Sequence, residues 1–194
     1  MSTVPPHIGI VIGSTRQGRF ADKPARWFQD LARARTDLTF ELLDLRDHPM
    51  PFFEEPASPA WAPVQNDAAR QWAAKLASVD GLVVITAEYN HGPTAVLKNA
   101  FDYAHREFIR KPIAFVGYGG VGGARAIEQL RMVAVEMQMA PIRSAVHIGM
   151  TEFLGIWQQG KSFDDYPHLA QTAGVLLDDL AWWARALQTA RSTA

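Results

Sequence analysis

Five short apolar runs, each followed or preceded by a stretch of helical spacing, restrict this chain to a small group of folds. The runs fall at residues 8–12, 38–45, 81–86, 112–117 and 142–148, and the first and third are rich in Ile and Val. Such runs, bounded by turn residues, read as buried strands. Between them, residues 25–35 carry Trp27, Phe28, Leu31 and Ala32 as a helical stripe, and residues 64–78 carry Ala68, Ala69, Trp72 and Leu76. Residues 94–108 repeat the pattern with Leu97, Phe101 and Ala104, and further helices are expected over 123–138 and 169–190. Strands apolar on both faces, alternating with helices, predict a parallel sheet covered on both sides. With five strands, the leading architecture is an α/β three-layer sandwich with a five-stranded parallel sheet in the flavodoxin-like order 2-1-3-4-5. A Rossmann half with extra strands is the alternative.

Composition narrows the function. Lys and Arg total 19 against 20 for Asp and Glu, a net charge of −1, so no electrostatic footprint for nucleic acid or an anionic membrane is expected. The absence of cysteine excludes disulfides, thiol catalysis and Cys-ligated zinc. No stretch approaches 18 uncharged apolar residues, and residues 1–7 lack the basic flank and apolar run of a signal peptide. The expectation is a cytoplasmic chain forming a single domain over residues 1–194. A proline-rich loop over 49–63 carries Phe52, Phe53 and Trp61, which are expected to pack against something.

In either architecture, ligands sit beyond the C-terminal ends of the strands at the topological switch point, so the loops after strands one, three and four matter most. The first reads Gly13-Ser14-Thr15-Arg16-Gln17-Gly18-Arg19-Phe20. Its glycine spacing matches a Walker A loop, but Arg19 replaces the lysine and Phe20 the metal-binding hydroxyl, which argues against a nucleoside triphosphatase. What survives is a cradle of backbone N–H groups, two hydroxyls and two guanidiniums, suited to a terminal phosphate bound without metal. An ordinary βα turn with exposed arginines is the competing reading.

The second loop, Glu88-Tyr89-Asn90-His91-Gly92-Pro93, could hydrogen-bond the edge of a planar heterocycle. It could equally be a plain turn in which Asn90 and Gly92 supply unusual dihedrals and His91 caps the next helix. In the third, Gly117, Gly119 and Gly122 fit G-x-G-x-x-G between a strand and a helix. That dinucleotide fingerprint normally lies in the first βα unit and needs an acidic residue ending the next strand, which here ends in His147-Ile148-Gly149. Close backbone approach to a flat ligand is the simpler reading.

The six histidines show no metal-ligand pairing, Glu54-Glu55 and Asp164-Asp165 read as solvated surface, and Ser14 lacks the nucleophile-elbow context. Trp182-Trp183 is expected in the core or at an oligomer contact. With no catalytic residue and no metal site emerging, the chain looks built to hold a cofactor that carries the chemistry.

Gly13 to Arg19, Glu88 to Gly92 with Leu97-Lys98-Asn99-Ala100, and Tyr118-Gly119-Gly120 through Arg125-Ala126 to Gln129-Leu130-Arg131 together resemble the NADPH-dependent FMN reductase family. That family comprises flavodoxin-like quinone, azo-dye and chromate reductases. The resemblance implies that Ser14, Arg16, Gln17, Gly18 and Arg19 hold the FMN phosphate, with Phe20 also in the cofactor-binding set. It implies that Glu88, Tyr89, Asn90 and His91 border the isoalloxazine, and that Gly119, Gly120, Val121 and Gly122 run along its other side. It further implies NADPH (or NADH) as hydride donor, a small-molecule electron acceptor, and a homodimer or homotetramer. Two departures concern loop shape: Ala87 stands where the family usually has proline, and the glycine-rich loop is one residue short. The alternatives are a flavodoxin-type electron carrier without direct nicotinamide chemistry, whose kind is strongly acidic where this chain is not, and a dinucleotide-binding regulator using residues 117–122.

Overall fold

The computed structural model describes residues 4–193. The first three residues of the N-terminal segment, in which no signal peptide is expected, lie outside the described residues. The elements run β1 (His7–Ile12), α1 (Asp22–Ala32), β2 (Thr39–Asp44), α2 (Asp67–Ser78), β3 (Gly81–Ala87) and α3 (Ala95–Asp102). They continue with β4 (Pro112–Tyr118), α4 (Ala124–Glu136), β5 (Ala140–Ile148), α5 (Met150–Gln158) and α6 (Pro167–Ser192). The strands form one parallel sheet in the order β2-β1-β3-β4-β5, as the alternation predicts.

Two apolar layers hold the sheet. On one face, Phe28 of α1 and Leu176, Leu177 and Leu180 of α6 pack against Ile8, Ile10, Val83 and Val116. On the other, Trp72 and Leu76 of α2, Leu97 and Phe101 of α3 and Leu130 of α4 pack against Val11, Val84 and Phe115. The indole N–H of Trp72 donates to the Ala100 carbonyl at 2.9 Å, so even the largest buried ring leaves no polar atom stranded. β3 and β4 are buried at every position, whereas β2 and β5 alternate with exposed residues. The expectation of strands apolar on both faces therefore holds for the middle of the sheet and fails at its edges, where each strand is paired on one side only.

Three further expectations change. α3 ends at Asp102, six residues earlier than the spacing predicts, because Ala104 and Phe108 reach the core from a following turn. Trp182 and Trp183 are outside the core, 65% and 39% exposed, while Leu169, Ala173 and Leu176 supply the inward face of α6. In the 49–63 loop, Phe53 packs on Tyr103 with ring centroids 5.1 Å apart, but Phe52 and Trp61 face outward. The backbone there is pinned: Asn99 accepts from the Phe53 N–H at 2.9 Å and donates to the Pro51 carbonyl at 2.7 Å.

Candidate functional site

The β1–α1 loop leaves the sheet at Gly13, whose N–H donates to the Ile85 carbonyl at 2.9 Å. A Cβ there would stand 2.7 Å from that same oxygen, so the close approach requires glycine. Beyond it, arginine side chains draw the loop carbonyls into the protein. Arg19 donates to the Ser14 carbonyl, and Arg46 donates to the Arg16 carbonyl at 2.6 Å. The Ser14 hydroxyl is buried, accepting from the Arg16 N–H at 3.4 Å. Among the described residues, the N–H groups of Thr15, Gln17, Gly18 and Phe20 have no protein acceptor, and Ala21, at the N-cap of α1, offers no side-chain cap. Exposed Arg16 and Gln17 frame these donors. The result is an anion-binding concavity made chiefly of backbone.

Arg19 departs from its expected role. Its side chain is 2% exposed, and Nε and both terminal nitrogens donate to Asp22, Asp44 and the Ser14 carbonyl. All five N–H donors are thereby committed, leaving none to face a phosphate. Burial alone would lower the Arg19 pKa, but its bonds to Asp44 and Asp22 outweigh that and raise it. Asp44 responds in kind: burial pushes its carboxyl up, yet the Arg19 and Arg46 hydrogen bonds hold it below the ordinary 3.8. Arg19 is the fastener of the loop, and the Arg16 side chain has no partner among the described residues.

The β3–α3 loop makes a tight turn. Tyr89 and Gly92 exchange N–H···O bonds of 2.9 and 3.0 Å, with Asn90 at φ +50° and His91 at φ +76°. Left-handed backbone at two non-glycine residues stores roughly 1–2 kcal/mol each. The strained pair is thus Asn90 and His91, not Asn90 and Gly92, and Thr94 rather than His91 caps α3, accepting from the Leu97 N–H at 3.3 Å. Gln129 steadies the turn by donating to the His91 carbonyl at 2.7 Å. Glu88 lies along the site, but its carboxylate turns to α4, taking the Arg125 N–H at 3.1 Å and the Arg125 guanidinium. That pair ties the second loop to the third.

The β4–α4 loop carries Gly119, Gly122 and Gly123 at φ +135°, +66° and +69°. A Cβ at Gly123 would lie 2.8 Å from Gly117 Cα, so strand and helix meet backbone to backbone. The Gly119 N–H donates to Ile148 and the Gly122 N–H to Gly119, while those of Gly120 and Val121 have no protein acceptor among the described residues.

Between these loops opens a cavity of about 340 Å³. Its walls are Arg16, Gly18, Arg19 and Phe20 from the first loop, Ala87, Glu88 and Tyr89 from the second, Tyr118 and Gly119 from β4, and Phe153 and Trp157 from α5. Ser14 lies beneath, its hydroxyl 3.4 Å from that of Tyr89. Gln17, Asn90, His91, Gly120, Val121 and Gly122 are not among the wall residues. Burial drives the Tyr118 hydroxyl well above its ordinary pKa, so it meets a ligand as a neutral group. Ala87, Tyr118, Phe153 and Trp157 are site residues that sequence reasoning missed. Tyr118 directly precedes the glycine loop, and Phe153 and Trp157 are an i, i+4 aromatic pair, so each left a signal. Among the described residues no group of three or more His, Asp or Glu could hold a metal, and no helix is long and apolar enough to cross a membrane.

Sheet order and a cavity at the strand ends define a doubly wound α/β protein, and the loops there form a concavity with the donors that a phosphate-bearing ligand needs. The chain belongs to the NADPH-dependent FMN reductase family, whose model matches residues 6–152. It is 34% identical over 147 residues to an NAD(P)H-dependent FMN reductase of Schizosaccharomyces pombe, covering 74% of each chain. It is 31% identical over 139 residues to a 2-hydroxy-1,4-benzoquinone reductase of a Burkholderia species, covering 68% of this chain and 72% of the other. Its fold is similar to that of a flavoenzyme NAD(P)H:acceptor oxidoreductase from Paracoccus denitrificans, with a TM-score of 0.71, 21% identity, and 93% and 98% of the two chains covered.

Proposed function

We propose that this chain is a single-domain, FMN-dependent oxidoreductase that takes a hydride from NADPH or NADH and passes it to a quinone, azo compound or similar small acceptor. The carrying observation is the β1–α1 loop, where the N–H donors of Thr15, Gln17, Gly18 and Phe20, without an acceptor among the described residues, lie beside a helix with no side-chain cap and the exposed Arg16. Those donors fit a terminal phosphate, and the glycine backbone of residues 119–122 leaves room for a flat ring system. When bound, FMN supplies reversible hydride acceptance, which no side chain of this protein offers.

The protein's part is to bind and orient. Ser14, Arg16, Gln17 and Gly18 hold the phosphate end, with Phe20 under it, while Arg19 fixes the loop that presents them. Tyr89, Asn90 and His91 border the ring on one side and Gly119, Gly120, Val121 and Gly122 on the other, with the Glu88–Arg125 pair locking the two borders together. No catalytic side chain and no metal is invoked. We place the protein in the cytoplasm as a homodimer or homotetramer. The test is the visible spectrum of purified protein, with FMN added if it emerges colourless, followed by anaerobic NADPH. A yellow protein bleached by NADPH supports the reading. Bound FMN with negligible NADPH oxidation would leave an electron carrier instead.

A further inference from the structure

Most of α5 lies beyond residue 152, where the family match stops, yet two of its side chains line the same cavity as Arg16 and Gly18. Phe153 meets Phe20 edge-on at 4.7 Å and lies nearly parallel to Tyr118 at 6.1 Å. Trp157, one turn later, stands 4.9 Å from Phe153 and continues this ladder of rings toward solvent. The helix beneath is held firmly. Ile156 is buried in the α1–α6 core, and the Tyr166 hydroxyl donates to the Thr151 carbonyl at 3.4 Å. A Cβ at Gly155 would collide with that hydroxyl, so α5 sits against Tyr166 as closely as backbone allows. Trp157 is 40% exposed despite this, with its ring spent on the cavity rather than on the core.

A polar cradle and an indole in the wall of one cavity have complementary effects. The cradle supplies charge-assisted donors, and the apolar wall displaces water that would otherwise screen them. We propose that Trp157 is a cofactor-binding residue, walling the phosphate end of the site, and that Phe153 is the positioning residue that holds its ring there. This rests on the reading that the ligand is FMN. Because the indole shares its cavity with Arg16 and Gly18 and stands 6.4 Å from the Phe20 ring of the same loop, it strengthens the grip on a phosphate-bearing flavin more than on one without phosphate.

The experiment is titration of apoprotein with FMN and with riboflavin, followed by quenching of flavin fluorescence, for wild type, Trp157→Ala and Trp157→Phe. Trp157→Ala is expected to weaken FMN about tenfold while riboflavin changes less than about twofold, because water admitted to the cavity screens the cradle's charge-assisted bonds to phosphate. Trp157→Phe should restore FMN binding to within about threefold of wild type, since it keeps an aromatic wall. Apoprotein melting temperatures of all three should agree, because the ring is outside the core. Unchanged FMN affinity in Trp157→Ala, or an equal loss for FMN and riboflavin, overturns the proposal. Failure of the underlying reading would look different, since wild type itself would then bind no FMN.

Discussion

Arg16 and Arg19 stand three residues apart in one loop, and their surroundings make opposite demands on a substitution. Arg16 is exposed and, among the described residues, only its backbone is engaged, so Arg16→Ala should leave the fold intact and weaken FMN. One charged hydrogen bond contributes roughly 1.5–3 kcal/mol, so the loss should be about ten- to a hundredfold, with riboflavin hardly affected. Flavin fluorescence titration checks both arms, and an Arg16→Ala variant that holds FMN like wild type would remove Arg16 from the phosphate site. Arg19→Ala, by contrast, removes the guanidinium from Asp22, Asp44 and the Ser14 carbonyl together, leaving Asp44 the Arg46 N–H. The network is buried on the arginine side and partly wet on the carboxylate side, so the cost should be about 2–4 kcal/mol. For a chain of this length that lowers the melting temperature by roughly 5–15 °C, measurable by calorimetry without any ligand. Asp44 also gives the network a pH signature. Its carboxyl is held below the ordinary 3.8, so the unfolded chain takes up the proton first as pH falls. Its stabilisation is present above about pH 4 and lost below, as the folded-state pKa is crossed. The acid limb of the stability curve should therefore move in Asp44→Asn, which cannot titrate. An acid limb identical to that of wild type would show that other carboxylates set it.

At the scale of elements, strands were readable and the ends of helices were not. The five runs fix the strands to within two residues because a buried strand must be apolar at successive positions, a demand visible in one dimension. Helix ends depend on how the chain packs after leaving the helix: Ala104 and Phe108 continue the apolar spacing of α3 but pack from a turn. α5 was hidden by Gly149, Gly155 and Gly160, which punctuate it like a loop although Gly155 is there to admit Tyr166. The site divides the same way. Its three loops could be located from strand ends and glycines, whereas the direction of the Arg19 and Glu88 side chains depends on Asp44 and Arg125, partners far off in sequence. The β4–α4 turn offers a direct check on the backbone argument. Gly123 combines φ +69° with a would-be Cβ 2.8 Å from both Gly117 Cα and the Tyr118 nitrogen. Gly123→Ala should cost about 2–4 kcal/mol, from left-handed strain plus a backbone clash that no rotamer can relieve. Thermal melting reads this out, and a loss under about 0.5 kcal/mol would show that strand and helix can separate without penalty.

For the whole molecule, the arrangement of layers decides what can reach the cavity and what can cover it. All three loops project from one end of the parallel sheet, so nicotinamide and acceptor are expected to use the same face in turn. Ping-pong kinetics are expected, with parallel lines in double-reciprocal plots, and intersecting lines at every acceptor concentration would sink the shared face. The sides of the sandwich raise a separate question. Phe52 and Trp61 are 81% and 83% exposed, the most exposed large apolar residues among those described, and both ride on the 49–63 loop. A mobile loop could hide such rings only transiently, but this one is held by Asn99, Tyr103 and the Glu55 carboxylate, which takes the Gln65 and Asn66 N–H groups. The rings are therefore held out on a fixed backbone. Val135 and Met132, on the outer face of α4, are likewise exposed, and residues 58–61 share a cleft with the C-terminal end of that helix. Apolar groups gathered on one side and fixed in place mark an interface more often than bare surface. Light scattering at micromolar concentration should report a dimer or tetramer, and Phe52→Ser with Trp61→Ser should shift it toward monomer while leaving the melting of each subunit's core unchanged. A wild-type monomer, or a double variant that assembles as wild type does, would mean that these two rings cover nothing.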